Sequence, residues 1–228
     1  MIKIENLGFS YVENDIYEKF NIGFRKNSTN VILGHNGAGK TTLLKLIGKL
    51  LQEKEGCISY EKESIKTNDI GNIFYLPEQN GCYTNLSVKE NIEFFKSIGL
   101  ENGMEVNQAI KLFKLQNKIN NKVDTLSQGL KKRVALANCA VYNANILLLD
   151  EPTNGIDPET KDIVIDYVNK LKKDKAVILS THDLYFAAEV ADYIYIIDHG
   201  RLVLDEYLDN KNFDALKEKY LQYTVEKI

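Results

Sequence analysis

The chain has 228 residues, of which 44% are hydrophobic and 27% are charged, and its formal net charge is −3. This composition is typical of a soluble globular domain with a sizeable core, and the weak negative charge gives no support for a broad nucleic-acid surface. No apolar run approaches the ~20 residues of a membrane-spanning helix, and residues 1–5 lack a signal-peptide pattern. We therefore expect a cytoplasmic protein that binds no nucleic acid and reaches a membrane only through a partner.

The first part of the chain predicts a small antiparallel sheet, because short apolar segments alternate with turn residues over residues 2–32. Val31–Leu33 reads as a buried strand that ends at Gly34. Apolar residues then recur with a helical period from Thr41 to Leu51. The order strand, glycine-rich loop, helix is the context that a phosphate-binding loop requires.

Residues 34–41 read G-H-N-G-A-G-K-T, a complete G-x-x-x-x-G-K-[ST] motif. Glycines let backbone N–H groups approach phosphate oxygens, and the following helix N-terminus adds positive potential. We expect Lys40 to reach the β- and γ-phosphates of ATP and the Thr41 hydroxyl to bind Mg²⁺. The residues predicted to bind ATP in this segment are Gly34, Asn36, Gly37, Gly39, Lys40, Thr41 and Thr42. His35 has no second histidine nearby in the sequence, so we do not expect it to bind a metal.

Short strands near Cys57–Tyr60 and Asn72–Leu76 precede a stretch of helical patterns. Residues 87–90 read Ser-Val-Lys-Glu, a capping box that opens a helix. Further helices are expected from the apolar period after Val106 and over Gln128–Tyr142. The sequence thus predicts one domain over residues 1–228, in which 82–143 form an all-helical subdomain inserted between the core segments 1–81 and 144–228.

An α/β pattern returns after residue 143. Residues 145–150 form an apolar run that ends in an acid, typical of a buried parallel strand. Asp157 and Pro158 fit an N-cap followed by proline at the first helical position. The remaining predicted elements, in chain order, are a helix to about Lys172, a strand at Ala176–Ser180, a helix at Leu184–Val190, a hairpin of Tyr193–Ile197 with Arg201–Leu204, and a short helix at Phe213–Gln222.

Asp150 and Glu151 stand where the predicted strand ends, and ligands of parallel sheets bind at that edge. We expect Asp150 to hold the Mg²⁺ shell and Glu151 to polarise the attacking water as a general base. The alternative is a solvated Asp-Glu-Pro turn without a catalytic role. The phosphate-binding loop upstream favours the catalytic interpretation.

The order of these motifs resembles the nucleotide-binding subunit of an ATP-binding cassette transporter, from about Met1 to Leu204. The resemblance implies an α/β fold: a P-loop NTPase core with a mostly parallel sheet, an N-terminal antiparallel β subdomain and an all-helical insert. It also implies an ATPase that uses ATP and Mg²⁺ as a dimer. One half of each active site would then come from the opposite subunit.

Four further roles rest on this resemblance. Gln79 matches the family's glutamine that contacts Mg²⁺ and the attacking water, and His182 matches the histidine that contacts the γ-phosphate. Tyr11 matches the aromatic residue that stacks on adenine, with Phe9 and Tyr17 as alternatives. Asp157 matches the acidic end of a loop that crosses to the partner subunit.

The signature segment Leu126–Leu130 departs from the family form Leu-Ser-Gly-Gly-Gln at Gln128 and Leu130. Ser127 and Gly129 are retained, and the resemblance implies that they contact the γ-phosphate of ATP on the opposite subunit. The departures put the hydrolysis rate and the symmetry of the dimer in doubt more than the binding role. The adjacent residues 131–133, Lys-Lys-Arg, are interpreted as a solvated helix face.

We expect this subunit to power a transporter through ATP-driven dimer closure, on the inner face of the cell membrane. Its partners would be a membrane-spanning permease subunit and a second ATPase subunit, either a copy of this chain or a relative. The general look of residues 126–134 and 180–206 resembles bacterial exporters. Two alternatives stay open: a soluble ATPase of the same family without a permease, and a nucleotide sensor that does not hydrolyse ATP.

Overall fold

Two β-sheets organise the computed structural model, which describes residues 1–12, 14–60, 63–64, 71–79, 81–171, 174–209 and 211–224. The smaller sheet is antiparallel, with the order β2-β1-β4-β5, and the larger has the order β10-β9-β3-β8-β7-β6. The strands are β1 Ile2–Tyr11, β2 Asn14–Phe24, β3 Ser28–Leu33, β4 Glu55–Tyr60, β5 Glu63–Ser64, β6 Ile73–Leu76, β7 Ile146–Asp150, β8 Ala176–Thr181, β9 Tyr193–Asp198 and β10 Arg201–Tyr207.

Five strands of the larger sheet run parallel, and only the edge strand β10 is antiparallel to its neighbour. The helices are α1 Lys40–Ile47, α2 Val88–Ile98, α3 Val106–Leu112, α4 Gln128–Tyr142, α5 Pro158–Leu171, α6 Leu184–Val190 and α7 Phe213–Thr224. The larger sheet thus confirms the predicted fold class, and the three helices α2–α4 lie between β6 and β7 in the chain. The domain boundaries at residues 82 and 143 stay a prediction.

The core lies on both faces of the larger sheet, because the side chains of a strand alternate between faces. In β7, Leu147 and Leu149 join the cluster formed with helices α2–α6, whereas Ile146 and Leu148 join the cluster formed with α1 and the small sheet. All four side chains are buried. Burial on both faces explains the continuous apolar run of this strand.

The capping box predicted at residues 87–90 is confirmed. Ser87 Oγ accepts a hydrogen bond from the backbone N–H of Glu90 at 3.2 Å, and Glu90 Oε2 accepts one from the N–H of Ser87 at 2.7 Å. These bonds satisfy two backbone N–H groups at the start of α2. Such groups have no acceptor within the helix, because no turn of helix precedes them.

The predicted helix over Thr41–Leu51 is too long at its C-terminal end. Helix α1 ends at Ile47, Gly48 follows it, and Lys49 has a positive φ of 55°. The apolar residues that suggested a further turn do not continue the buried face, since Leu50 is 58% exposed. Among the described residues, no helix combines the length and apolarity needed to cross a membrane.

Candidate functional site

The glycine-rich loop joins the end of β3 to the start of α1, as predicted. Gly37 and Gly39 have φ values of 87° and 107°, which L-residues with a side chain rarely adopt. At Gly34 the constraint is close packing, because a Cβ atom there would lie 2.4 Å from the carbonyl oxygen of Ile197. The loop is therefore held against the end of β9, and its conformation depends on glycine at these positions.

The Lys40 side chain is buried beneath this loop, with 7% of its surface exposed. Its Nζ donates to the carbonyl oxygens of Gly34 at 2.8 Å and His35 at 3.2 Å, and it lies 3.7 Å from Glu151 Oε1. Burial lowers the pKa of Lys40, and the nearby Glu151 opposes that shift. The Lys40 ammonium group is hydrogen-bonded to carbonyl oxygens of its own loop. It can exchange these bonds for bonds to an anion that enters from solvent.

The Asp150 carboxylate, at the end of β7, accepts hydrogen bonds from three hydroxyl groups. Thr41 donates to Oδ1 at 2.9 Å, Ser180 donates to Oδ1 at 2.6 Å, and Tyr75 donates to Oδ2 at 3.1 Å. Asp150 is only 2% exposed. A hydroxyl and a carboxylate side by side are the hard oxygen donors that Mg²⁺ prefers, so Thr41 and Asp150 fit the predicted cation.

Glu151 turns away from its neighbour Asp150, because its φ is 43°, a sparsely populated value for a residue with a side chain. Its backbone N–H bonds to the carbonyl and hydroxyl oxygens of Ser180, both at 3.1 Å. Its carboxylate lies 3.0 Å from His182 Nδ1. The two adjacent acids therefore have different partners, as their different predicted roles require.

A cavity of about 410 Å³ opens above these groups. It brings together most of the loop residues predicted to bind ATP with the two catalytic candidates that directly follow β7 and β8. The predicted site residues that line it are Asn36, Gly37, Gly39, Lys40, Thr41, Thr42, Glu151 and His182. Asp150 and Gly34 are buried beside it. The pocket is large enough to admit phosphate groups between Lys40 and His182.

Gln79 does not line this cavity. It is exposed and borders a separate pocket of about 90 Å³ together with Gln128 and Lys132. Its neighbour Glu78 lines the larger cavity and accepts a hydrogen bond from Asn154 Nδ2 at 2.6 Å. The predicted role of Gln79 therefore requires the segment after β6 to move when nucleotide binds.

Tyr11 is the exposed member of the three aromatic candidates for adenine stacking. Its side chain is 43% exposed and meets the Phe9 ring edge-to-face at 4.9 Å, whereas Phe9 and Tyr17 are 8% and 3% exposed. Tyr17 packs under the loop, since a Cβ atom at Gly39 would lie 2.6 Å from its hydroxyl. Tyr11 does not line the cavity, but Asn14, its partner in the β1–β2 pair, does.

Ser127 and Gly129 lie at the N-terminus of α4, away from the cavity of their own chain. Ser127 caps the helix, with Oγ accepting from the Leu130 N–H at 3.4 Å, and is exposed. A Cβ atom at Gly129 would lie 2.4 Å from Asp157 Oδ2. Asp157 in turn caps α5 by accepting from the backbone N–H of Thr160 at 2.9 Å, which lowers its pKa.

The interpretation of residues 131–133 as a solvated helix face is wrong for two of the three. Lys132 and Arg133 are each 7% exposed. Lys132 Nζ donates to the carbonyl oxygen of Glu78 at 3.0 Å, and Arg133 Nε donates to Thr160 Oγ1 at 2.9 Å. A run of cations predicts a solvated face only when no acceptor lies opposite, and here α4 packs against two segments that supply acceptors.

Sequence reasoning missed Tyr75, Ser180 and Glu78. Tyr75 and Ser180 sit near the C-terminal ends of β6 and β8, the strands on either side of β7. Their position at strand ends was a usable signal, because parallel strands present those ends at one edge. Which strands flank β7 was not readable from the sequence.

A sequence model of the ABC transporter family matches residues 17–154. Among curated relatives, the energy-coupling factor transporter ATP-binding protein EcfA of onion yellows phytoplasma is 34% identical over 89% of this chain and 78% of that protein. The lantibiotic transport ATP-binding protein SrtF of Streptococcus pyogenes is 28% identical over 95% of both chains.

Two solved structures have the same fold. A dimeric ATP-binding cassette in a post-hydrolysis state, bound to ADP and Pi, matches 92% of this chain and 100% of its own with a TM-score of 0.81 and 24% identity. The protein cbiO1 from Clostridium perfringens, part of the cbiONQ transporter complex, matches 96% of this chain and 92% of its own with a TM-score of 0.78 and 24% identity.

Proposed function

The chain belongs to the ABC transporter family and is an ATP-binding, ATP-hydrolysing subunit, and we propose that it works by pairing head to tail with a second copy or a close relative. Each ATP would lie between the loop Gly34–Thr41 of one subunit and Ser127–Gly129 of the other. Nucleotide binding would close the pair, and hydrolysis would release it.

One observation carries this proposal: among the described residues, those that suit a phosphate line the cavity from the glycine-rich loop, and Ser127 is not among them. Lys40, Thr41 and the glycine-rich loop line the cavity, whereas Ser127 is exposed elsewhere on the surface. A hydroxyl and the N-terminus of a 15-residue helix make an anion-binding arrangement. Facing another subunit, that arrangement would supply the missing side of the site.

The residues of the cavity divide the chemistry of phosphoryl transfer between them. Lys40 leaves the Gly34 and His35 carbonyls and binds the β- and γ-phosphates, and His182 contacts the γ-phosphate. Thr41 and Asp150 would hold Mg²⁺, with Gln79 as a further contact; when bound there, the ion would supply positive charge that neutralises the phosphates. Glu151 accepts a proton from the attacking water, because its carboxylate is held at the cavity wall by His182.

We propose a membrane-spanning permease as the second partner, which places the subunit on the cytoplasmic face of the membrane. The support is an open cavity of about 400 Å³ beside α2, lined by aromatic residues that include Phe74, Phe95 and Tyr142. Tyr83, which also lines it, is 51% exposed. Exposed apolar groups of this kind mark protein-binding surfaces.

We propose export as the direction of transport. The support is the resemblance of residues 126–134 and 180–206 to bacterial exporters. A lantibiotic transport ATP-binding protein, SrtF, matches this chain over 95% of both chains. The energy-coupling factor relatives are more similar in sequence but longer than this chain.

The dimer proposal is tested with Glu151→Gln, which removes the general base and leaves the shape of the cavity intact. We expect this variant to lose ATPase activity by roughly 10²- to 10⁴-fold and to form a stable dimer in ATP and Mg²⁺, measured by light scattering after size exclusion. Glu78→Gln, which removes another carboxylate of the cavity, should still turn ATP over and should not accumulate the dimer.

A Glu151→Gln variant that binds ATP but stays monomeric would contradict pairing between copies of this chain.

The permease proposal is tested separately by purifying the tagged chain from detergent-solubilised membranes of its host. We expect a polytopic membrane protein in stoichiometric amount. Recovery of soluble partners only, from an ATPase-active preparation, would favour the soluble alternative.

A further inference from the structure

Two histidines and an aspartate that are distant in the sequence meet beside the glycine-rich loop. His35 lies in the loop after β3, Asp198 ends β9, and His199 begins the turn to β10. One ligand atom from each of the three lies within 4.8 Å of the other two. The rings of His35 and His199 have centroids 5.0 Å apart.

The contact of His35 with Asn36 shows that Nδ1 carries a proton. Nδ1 lies 2.7 Å from the carbonyl oxygen of Asn36, which can only accept, so Nδ1 is the donor. In the neutral ring Nε2 is then an unprotonated lone pair. Nε2 is shielded from solvent and makes no hydrogen bond with any described residue, although it lies 3.1 Å from Asp198 Oδ1.

A nitrogen lone pair and a carboxylate oxygen repel each other at this distance unless a proton or a metal ion lies between them. A ring nitrogen that points its lone pair at a cation while its other N–H donates to a carbonyl is the usual arrangement of a metal-binding histidine. His199 Nε2 lies 3.9 Å from the same Asp198 oxygen, so a third donor is already in reach.

The spacing of the three donors fits a small cation. Ligand atoms about 2.0–2.1 Å from a tetrahedral Zn²⁺ are separated by roughly 3.3 Å, which compares with 3.1 Å and 3.9 Å here. Two imidazoles and one carboxylate are borderline ligands that suit Zn²⁺ and neighbouring transition metals better than Mg²⁺. We propose that His35, Asp198 and His199 form a binding site for a divalent transition-metal ion such as Zn²⁺, with water completing its coordination.

The backbone on both sides of this site is well defined. His199 and Gly200 have φ values of 45° and 70°, which is the two-residue turn that matches the twist of a β-hairpin. On the other side, Gly34 packs against the carbonyl of Ile197, so the loop that carries His35 is fixed against β9. Little rearrangement is needed to bring the three donors onto one ion, which favours binding.

The site is distinct from the Mg²⁺ ligands proposed above. Thr41 and Asp150 offer oxygen only, and the third histidine of the chain, His182, lies against Glu151. The expectation that His35 binds no metal rested on the absence of a second histidine nearby in the sequence. It did not include histidines that are distant in the sequence and close in the fold. His199 lies 164 positions further on, and only the parallel pairing of β3 with β9 brings the two together.

The test is a Zn²⁺ titration of the tag-free, nucleotide-free protein, by competition with a chromophoric chelator. His199→Asn removes one imidazole but keeps a residue that tolerates positive φ, so the turn is preserved. The control His182→Asn removes the histidine of the cavity. We expect one Zn²⁺ per chain for the wild type and the control, and affinity weaker by at least about tenfold for His199→Asn.

Thermal unfolding supplies a second readout that does not depend on the chelator. The quantity measured is the change in melting temperature of each protein relative to its own metal-free form. Zn²⁺ should raise the melting temperature of the wild type and of His182→Asn, and should raise that of His199→Asn much less. Equal Zn²⁺ affinity in the wild type and His199→Asn would overturn the proposal, and so would loss of the ion in His182→Asn alone.

Discussion

At the scale of single residues, the most informative arrangement is the set of hydroxyl groups around Asp150. Thr41 and Ser180 share Oδ1, and among the residues that the structure describes Tyr75 is the one that donates to Oδ2. Burial raises the pKa of Tyr75, and the Asp150 charge adds to the rise, so the phenol stays a hydrogen-bond donor. Tyr75 is thus a positioning residue for the carboxylate that we expect to hold Mg²⁺.

Tyr75→Phe should weaken Mg²⁺ use without removing a catalytic group. Loss of the hydrogen bond frees the Asp150 carboxylate to rotate, and partners of this kind are worth roughly tenfold or more in metal affinity. We expect the Mg²⁺ concentration for half-maximal ATPase activity to rise by about that factor, with a smaller change in kcat at saturating Mg²⁺.

The matched control is Tyr142→Phe, which removes a phenol hydroxyl that donates to the carbonyl oxygen of Gly71 at 3.2 Å, away from the cavity. Its Mg²⁺ dependence should equal that of the wild type. If Tyr75→Phe also behaves like the wild type, the hydroxyl does not position Asp150.

The residues that the sequence identified are those defined by local order. Lys40 and Thr41 follow from a motif of consecutive residues, and Glu151 follows from its place after an apolar strand. Tyr75 and Ser180 could not be identified in this way, because their contact with Asp150 depends on which strands flank β7. That neighbourhood is a property of the sheet and not of any segment.

At the scale of elements, Arg133 connects the helix that begins at the signature segment to the helix that follows β7. Its guanidinium on α4 donates to Thr160 Oγ1 at 2.9 Å and lies 3.1 Å from Glu159 Oε2 on α5. Lys114 pairs with the other oxygen of the same carboxylate at 2.9 Å. The two cations share an anion but differ in burial, since their side chains are 9% and 58% exposed.

Arg133→Met should therefore cost more stability than Lys114→Met. Removing the buried guanidinium forfeits a charge-assisted hydrogen bond and leaves Thr160 Oγ1 without that donor, which costs about 1.5–3 kcal/mol. The exposed Lys114 pair is screened by solvent and contributes less. Denaturant unfolding of the two variants against the wild type measures both; equal losses would show that α4 and α5 are not joined through Arg133.

The same pair of helices gives a pH dependence with a defined sign. The Lys114 and Arg133 contacts lower the pKa of Glu159, so its folded pKa lies below its unfolded value of about 4.3. A carboxylate shifted in this direction stabilises the fold above the unfolded pKa and loses that contribution as the pH falls through the folded pKa. The stability difference between the wild type and Arg133→Met should thus narrow below about pH 4.

Elements with strong periodicity or a complete cap were predicted well, as α2 shows with its capping box at Ser87 and Glu90. The end of α1 was not, because Leu50 and Leu51 continue the apolar spacing after Gly48 and Lys49 have already left the helix. The prediction that Lys132 and Arg133 lie on a solvated helix face was wrong for a related reason. Their positive charges indicated that the side chains are exposed to solvent. In the fold, the packing of α4 brings them next to oxygen atoms that accept their hydrogen bonds.

At the scale of the whole molecule, the order β10-β9-β3-β8-β7-β6 places the glycine-rich loop, Asp150 and His182 at the ends of three adjacent strands. The sequence indicated a mostly parallel sheet but not this order, since pairings such as β3 with β8 join residues about 150 positions apart, for example Val31 with Leu179. The same order leaves Ser127 outside the cavity. The division of the site between two chains is therefore a prediction about the assembled molecule.

Two variants that are each inactive should restore activity when they are mixed, if the site is shared between chains. Lys40→Met disables the phosphate-binding loop, and Ser127→Asp keeps an N-cap for α4 but places a negative charge where a γ-phosphate is expected. In a mixed dimer, one site combines the intact loop of the Ser127→Asp chain with the intact signature segment of the Lys40→Met chain. Random pairing makes half of the dimers mixed, each with one intact site, so about a quarter of the wild-type ATPase rate should return.

Ser127→Asn distinguishes charge from a disturbed helix terminus, because asparagine caps a helix as well as aspartate does and carries no charge. We expect Ser127→Asn to retain far more ATPase activity than Ser127→Asp, while both unfold at the same denaturant concentration. Mixtures that form dimers with ATP but recover no activity would show that Ser127 serves the site of its own chain or none. Recovery of ATPase activity in the mixture would show that the site is shared between two chains. Neither variant has both halves of a site intact, so an active site must then combine surfaces from two molecules.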